Sequence, residues 1–131
     1  MIQNYFADGL PIVCGGYPET GYASDADDCY KYSPSSDSWQ LSGTMPDAKA
    51  FSAYAYVQDF GLVMAGGDDG NSASVTVTRD GINFEELTSL PAGNYAGCLT
   101  AVDEQTLMYT GGEYDYYAAY SYDIPSDTWT T

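Results

Sequence analysis

The chain has 131 residues, with 19 acids against three basic residues and no histidine, for a formal net charge of −16. That balance excludes nucleic acid, which needs a basic stripe for its phosphates, and an anionic membrane surface would repel it. The lack of His removes the commonest general base and the commonest metal ligand together. Fourteen Tyr, four Phe, two Trp and fourteen scattered Gly, with short Val/Tyr/Thr-rich runs, indicate an all-β chain with many tight turns.

In chain order, MIQNYFADGL carries neither a basic n-region nor a clean apolar stretch, so no signal peptide is expected there. The run Pro11–Cys14 reads as a strand ending on Gly15-Gly16. A long acidic connection, Tyr17 to Asp28, leads to a strand bearing Tyr30 and Tyr32, then the turn SPSSDS and a strand opening at Trp39. After Pro46, Tyr54 and Tyr56 alternate with Ala53 and Ala55 as in a half-buried strand. Gln58–Gly61 turns the chain into Leu62–Ala65, a continuous apolar run expected to be buried on both faces and ending on Gly66-Gly67. The segment DDGN follows, then Val75 and Val77, the turn TRDGIN, Phe84 and Pro91. The last stretch repeats the order: LMYTGG, EYDYY, Tyr120 and Tyr122, DIPSDT, and Trp129.

The order is a repeat. Trp39, Phe84 and Trp129 recur at 45 residues, each lies seven residues beyond the second member of its alternating pair, and each Gly-Gly ends an apolar run. This pattern resembles the kelch repeat, with its Gly-Gly doublet, downstream Tyr and later Trp, and the resemblance covers essentially the whole chain. It implies one four-stranded antiparallel β-propeller blade per repeat, here three blades at 1–43, 44–88 and 89–131, half of a six-bladed ring. The second repeat departs from the family pattern, with Val75, Val77 and Phe84 in place of the aromatics. Of the basic residues common after the repeat's Pro, only Lys49 sits near such a place. Packing between blades is the first expectation for the Tyr and Trp landmarks. Three blades alone would leave two flanks uncovered, so other copies of the chain or further blades are expected beside them.

In such a blade the 2–3 and 4–1 connections emerge at one end. There the expected contact residues are Tyr22, Asp25, Asp27, Asp28, Asp69, Tyr114 and Tyr116. Tyr offers apolar area with a hydroxyl and suits interface anchors. The plainer reading of these segments is solvated loops on an acidic, soluble protein. The expected function is non-enzymatic recognition of a protein or glycan, with cationic character favoured. The alternative is a structural subunit that self-assembles through its blades. Catalysis has little support: no Ser-His-Asp or Cys-His set can be assembled, and the copper radical oxidases that carry kelch-like propellers use His ligands. Asp25-Ala26-Asp27-Asp28 lacks the Gly and Glu of an EF-hand loop, and no cofactor is expected. Cys14 and Cys29 flank the inserted connection on neighbouring antiparallel strands, so they are expected to form a disulfide, leaving Cys98 as the remaining thiol. That bond implies an oxidising, extracellular location; the cytoplasm is the alternative.

Overall fold

The computed structural model describes the backbone of residues 2–5 and, in full, residues 9–17, 26–67 and 72–131. The described residues form twelve β-strands and no helix. Strands β1 (Ile2–Tyr5), β2 (Pro11–Cys14), β3 (Asp28–Ser33) and β4 (Ser38–Thr44) make the first sheet. Strands β5 (Ala53–Val57), β6 (Gly61–Gly67), β7 (Ser72–Thr78) and β8 (Phe84–Leu87) make the second. The third comprises β9 (Cys98–Ala101), β10 (Thr106–Thr110), β11 (Ala119–Asp123) and β12 (Thr128–Thr130). Each is an antiparallel meander whose strands pair in sequence order. The sheets adjoin through their first strands, β9 lying against β5 and β1 approaching β5.

Burial follows position in the row of sheets. Every residue of β6 is buried, as its unbroken apolar run requires. One face of the second sheet, with Leu62 and Met64, packs on Ile12, Cys14 and Cys29 of the first. Its opposite face, with Val63, Ala65, Val75 and Val77, packs on Leu107, Tyr109, Tyr120 and Tyr122 of the third. In β5 the alanines point inward and Tyr54 outward. Cys14 and Cys29 are direct partners across β2 and β3 and form the expected disulfide. Both are almost completely buried, so the bond is also core packing against the second sheet.

The second repeat differs from the sequence expectation by one residue. Tyr32 pairs with Trp39 and Tyr122 with Trp129, but Phe84 pairs with Thr78. The counterparts of the tyrosine pair are therefore Thr76 and Thr78, while Val75 and Val77 face the third sheet. A one-residue change in pairing sends every side chain to the other face. The cause is a shorter 3–4 turn: five residues separate Thr78 from Phe84, and six separate Tyr122 from Trp129. In the longer turns an aspartate takes the left-handed position, Asp37 at φ 48° and Asp127 at φ 51°. It accepts the tyrosine hydroxyl at 2.5 Å in both cases. In the shorter turn Gly81 takes that position at φ 75°. There Asp80 accepts the Ile82 and Asn83 main-chain N–H groups and the Thr78 hydroxyl. Burial alone would raise the Asp80 pKa, but those bonds and the Asn83 amide hold it down to about 2.

Candidate functional site

The end of the sheets bearing the 2–3 and 4–1 connections is built by one hydrogen-bond pattern used twice. The Gly16 N–H donates to the Lys49 carbonyl at 2.9 Å, and the Gly67 N–H donates to the Asn94 carbonyl at 3.0 Å. In return Lys49 N–H donates to Ala26 O, and Asn94 N–H to Ser72 O. The connection passes so close that a Cβ on Gly66 would lie 2.3 Å from the Asn94 carbonyl oxygen, which is why the doublet is glycine. Lys49 and Asn94 thus hold equivalent places 45 residues apart.

Their side chains then reach into the next sheet. Lys49 Nζ donates to Gly66 O at 3.4 Å, to Ser74 Oγ at 2.5 Å and to Asp47 Oδ2 at 3.1 Å. Burial lowers its pKa, and the Asp47 carboxylate opposes that shift. Asn94 Nδ2 donates to Gly111 O at 2.9 Å and Asp115 O at 3.1 Å. Its Oδ1 accepts the N–H groups of Tyr95 at 3.0 Å and Tyr114 at 3.1 Å. The fully buried Asn94 side chain therefore shapes the loop that displays Tyr114 and Tyr116. Asp115 shapes it from within, accepting Tyr117 N–H at 3.0 Å and the Tyr120 hydroxyl at 3.2 Å.

What this end shows to solvent is aromatic and acidic. Tyr114 is 65% exposed, Tyr116 68%, Tyr117 94%, Tyr17 64% and Phe51 53%. Tyr17 and Phe51 lie with ring centroids 6.3 Å apart, joining the first sheet's 2–3 connection to the following 4–1 connection. The Phe51 carbonyl accepts Ala96 N–H at 2.7 Å, and Tyr95 O accepts Glu113 N–H at 2.9 Å, so the aromatics share one linked framework. The three basic side chains of the chain lie elsewhere: Lys49 is buried beneath this end, Lys31 sits in the middle of β3, and Arg79 occupies a 3–4 turn at the far end, paired with Glu85 at 3.4 Å.

Of the expected contact residues, Asp27, Tyr114 and Tyr116 are exposed, and Asp28 is half-buried at the start of β3 with its carboxylate facing the Thr44 and Tyr30 hydroxyls. Asp27 and Asp28 belong to the first sheet, Tyr114 and Tyr116 to the third. Tyr22, Asp25 and Asp69 lie outside the described residues. The 4–1 contributor Phe51 was not expected; its signal is an aromatic following the Pro46 segment, just ahead of the alternating β5 pattern.

No protein-family model matches the chain, and no curated protein matches it. Its fold is similar to that of a solved fungal alcohol oxidase of the AA5 family, determined in complex with copper, at a TM-score of 0.71 and 15% sequence identity. The match covers 100% of this chain and 32% of the oxidase, so the chain spans about a third of that protein's length. Likeness at this identity concerns the fold alone, an all-β arrangement of antiparallel sheets. The donor set does not fit copper: nitrogen–oxygen sites for Cu(II) draw on imidazole, and the chain has no histidine. Among the described residues no group of three or more Cys, Asp or Glu is placed to hold a metal ion.

Proposed function

We propose that the three sheets are consecutive kelch-type blades of a β-propeller, divided at 1–43, 44–88 and 89–131, and that the chain is a non-enzymatic recognition module. Its partner is a protein or glycan of cationic character, met by the aromatic and acidic end through Asp27, Tyr114 and Tyr116 with Tyr17 and Phe51. The observation that carries this reading is the exposure of five aromatic rings at one end, where no basic side chain reaches solvent. Large exposed apolar groups rimmed by polar ones mark interaction surfaces, and tyrosine is favoured at their energetic centres. The loop bearing Tyr114 and Tyr116 is held by a buried amide and an internal carboxylate, so its shape is set before binding, which lowers the ordering cost. Meander topology, the repeated Gly-Gly clasp and contact along the first strands support the blade reading. The buried disulfide supports an extracellular setting.

The test uses a defined lysine-rich peptide as probe. Charge reversal at the aromatic end, Asp27→Lys with Glu113→Lys, should weaken binding at least tenfold at about 0.15 M salt. Reversal at the far end, Asp59→Lys with Glu104→Lys, should change it less than twofold. Equal losses from the two pairs would mean that net charge alone attracts the peptide, and the reading would fall. Binding should also weaken as salt rises, since exposed charges are screened over about 8 Å at physiological ionic strength.

A further inference from the structure

The first sheet carries an aromatic face that nothing among the described residues covers. Strand registers place Val13, Tyr30 and Leu41 side by side and set Tyr32 against Trp39. Tyr30 is 40% exposed, Trp39 47% and Leu41 60%. The counterparts of Tyr30 and Tyr32 in the third sheet, Tyr120 and Tyr122, are 7% and 0% exposed because the second sheet lies over them. The same face of the second sheet, with Leu62 and Met64, is fully buried against the first. Twice within the chain, then, this face of one sheet is closed by the sheet before it.

The surface that would close it a third time is present at the other end of the row. The outward face of the third sheet holds Cys98, Thr100, Met108, Thr110, Ala119 and Ser121, linked by the β9–β10–β11 registers. These six are uncharged, Met108 is 44% exposed, and the one acid on the same face, Asp123, lies at its margin beside Thr106, where the 3–4 turn begins. Their counterparts in the second sheet are Ala53, Ala55, Val63, Ala65, Val75 and Val77, which are 0% to 8% exposed and form that sheet's contact with the third. One chain therefore presents both halves of an interface whose pattern is already used inside it.

We propose that the Tyr30–Trp39–Leu41 face of the first sheet is covered by the Met108 face of the third sheet of a second copy, and reciprocally. Two copies related by a two-fold axis satisfy both faces at once, in keeping with the preference of soluble oligomers for closed symmetry. They bring six sheets together, within the four to eight of closed propellers. Pairing two first-sheet faces with each other would leave both Met108 faces open. This inference is independent of the recognition reading, because the aromatic loop end is not part of either face.

The experiment is light scattering on the oxidised full chain, with Trp39→Asp and Met108→Asp, both exposed positions where a charge is compatible with folding. The wild type should have twice the chain mass of 14.1 kDa, and each variant should be a monomer. An equimolar mixture of the two variants should regain a two-chain species, because one interface then joins two unaltered faces. Cys98, the free and exposed cysteine, should react with a bulky thiol reagent at least tenfold more slowly in concentrated wild type than in either variant. The same slowing between dilute and concentrated wild type is expected, and that comparison stands even if a variant fails to fold. A monomeric wild type with reactive Cys98, a dimer that Met108→Asp leaves intact, or growth beyond two chains would overturn the proposal.

Discussion

Tyr109 and Tyr122 are fully buried within the contact between the second and third sheets. Tyr109 stacks on Tyr120 with ring centroids 6.1 Å apart, and its hydroxyl lies against Gly97, where an added Cβ would come within 2.4 Å of it. Burial raises the Tyr109 pKa to about 12, with a further contribution from Tyr120. Burial first, and then the hydrogen bond to Asp127, push Tyr122 up as well. An unfolded tyrosine ionises near pH 10, so these folded-state values lie above the unfolded one. The Tyr109 contribution to stability is complete below about pH 10 and is lost as pH rises through about 12, and the raised Tyr122 adds a loss of the same sign. The urea midpoint should therefore decline steadily from pH 10 upward, and Tyr109→Phe should flatten part of that decline. A midpoint unchanged across that range would show that these phenols are not held neutral in the core.

At the scale of elements, the disulfide ties β2 to β3 at the point where the longest connection leaves the first sheet. It closes a separation of 15 residues, worth about 3 kcal/mol in the chain-entropy model. Its sulfurs also fill the contact with Met64 and Leu62, so Cys14→Ser with Cys29→Ser should cost at least that much in chemical denaturation. Reduction of the wild type should give a similar loss. A cost below about 1 kcal/mol would mean that neither loop closure nor packing depends on the bond. The disulfide was legible in the sequence because it needs only two local facts, the Gly-Gly strand end and the return of the next strand. The turns SPSSDS, TRDGIN and DIPSDT were legible for the same reason. The register of β7 was not: Val75 and Val77 alternate as regularly as Thr76 and Thr78, and a period of two does not reveal which set faces which neighbour. The missing turn residue, with Gly81 in the place of an aspartate, decides it. The equivalence of Lys49 and Asn94 was also hidden, because an ammonium and an amide share no side-chain signature. What they share is a main-chain carbonyl bonded to a glycine and a side chain long enough to reach the next doublet.

Across the whole molecule the two ends of the sheets differ in kind. The 3–4 turns at one end are held by their own aspartates, Asp37, Asp80 and Asp127, and touch the adjoining sheet only through Thr88 N–H to Asp127 and the Ser42 hydroxyl to Gly81 O among the bonds of these turns. The other end joins one sheet to the next through Lys49 and Asn94 while leaving Tyr17, Phe51, Tyr114, Tyr116 and Tyr117 open to solvent. An acidic protein with 14 tyrosines could have used them all in its core; instead several stand exposed on connections that are braced from beneath. The proposed recognition surface at this end was half legible in the sequence. The acidic and tyrosine-rich connections could be read directly, whereas Phe51 and the bracing role of Asp115 depend on contacts between segments far apart in the chain.

If the proposed function holds, binding is confined to this end, and amide chemical-shift mapping during titration with the lysine-rich peptide decides it. The largest perturbations should fall on Tyr17, Phe51 and Glu113 to Tyr117, with the turns at 34–37, 79–83 and 124–127 unmoved. Perturbations centred on those turns, or spread evenly over every acidic residue, would contradict it.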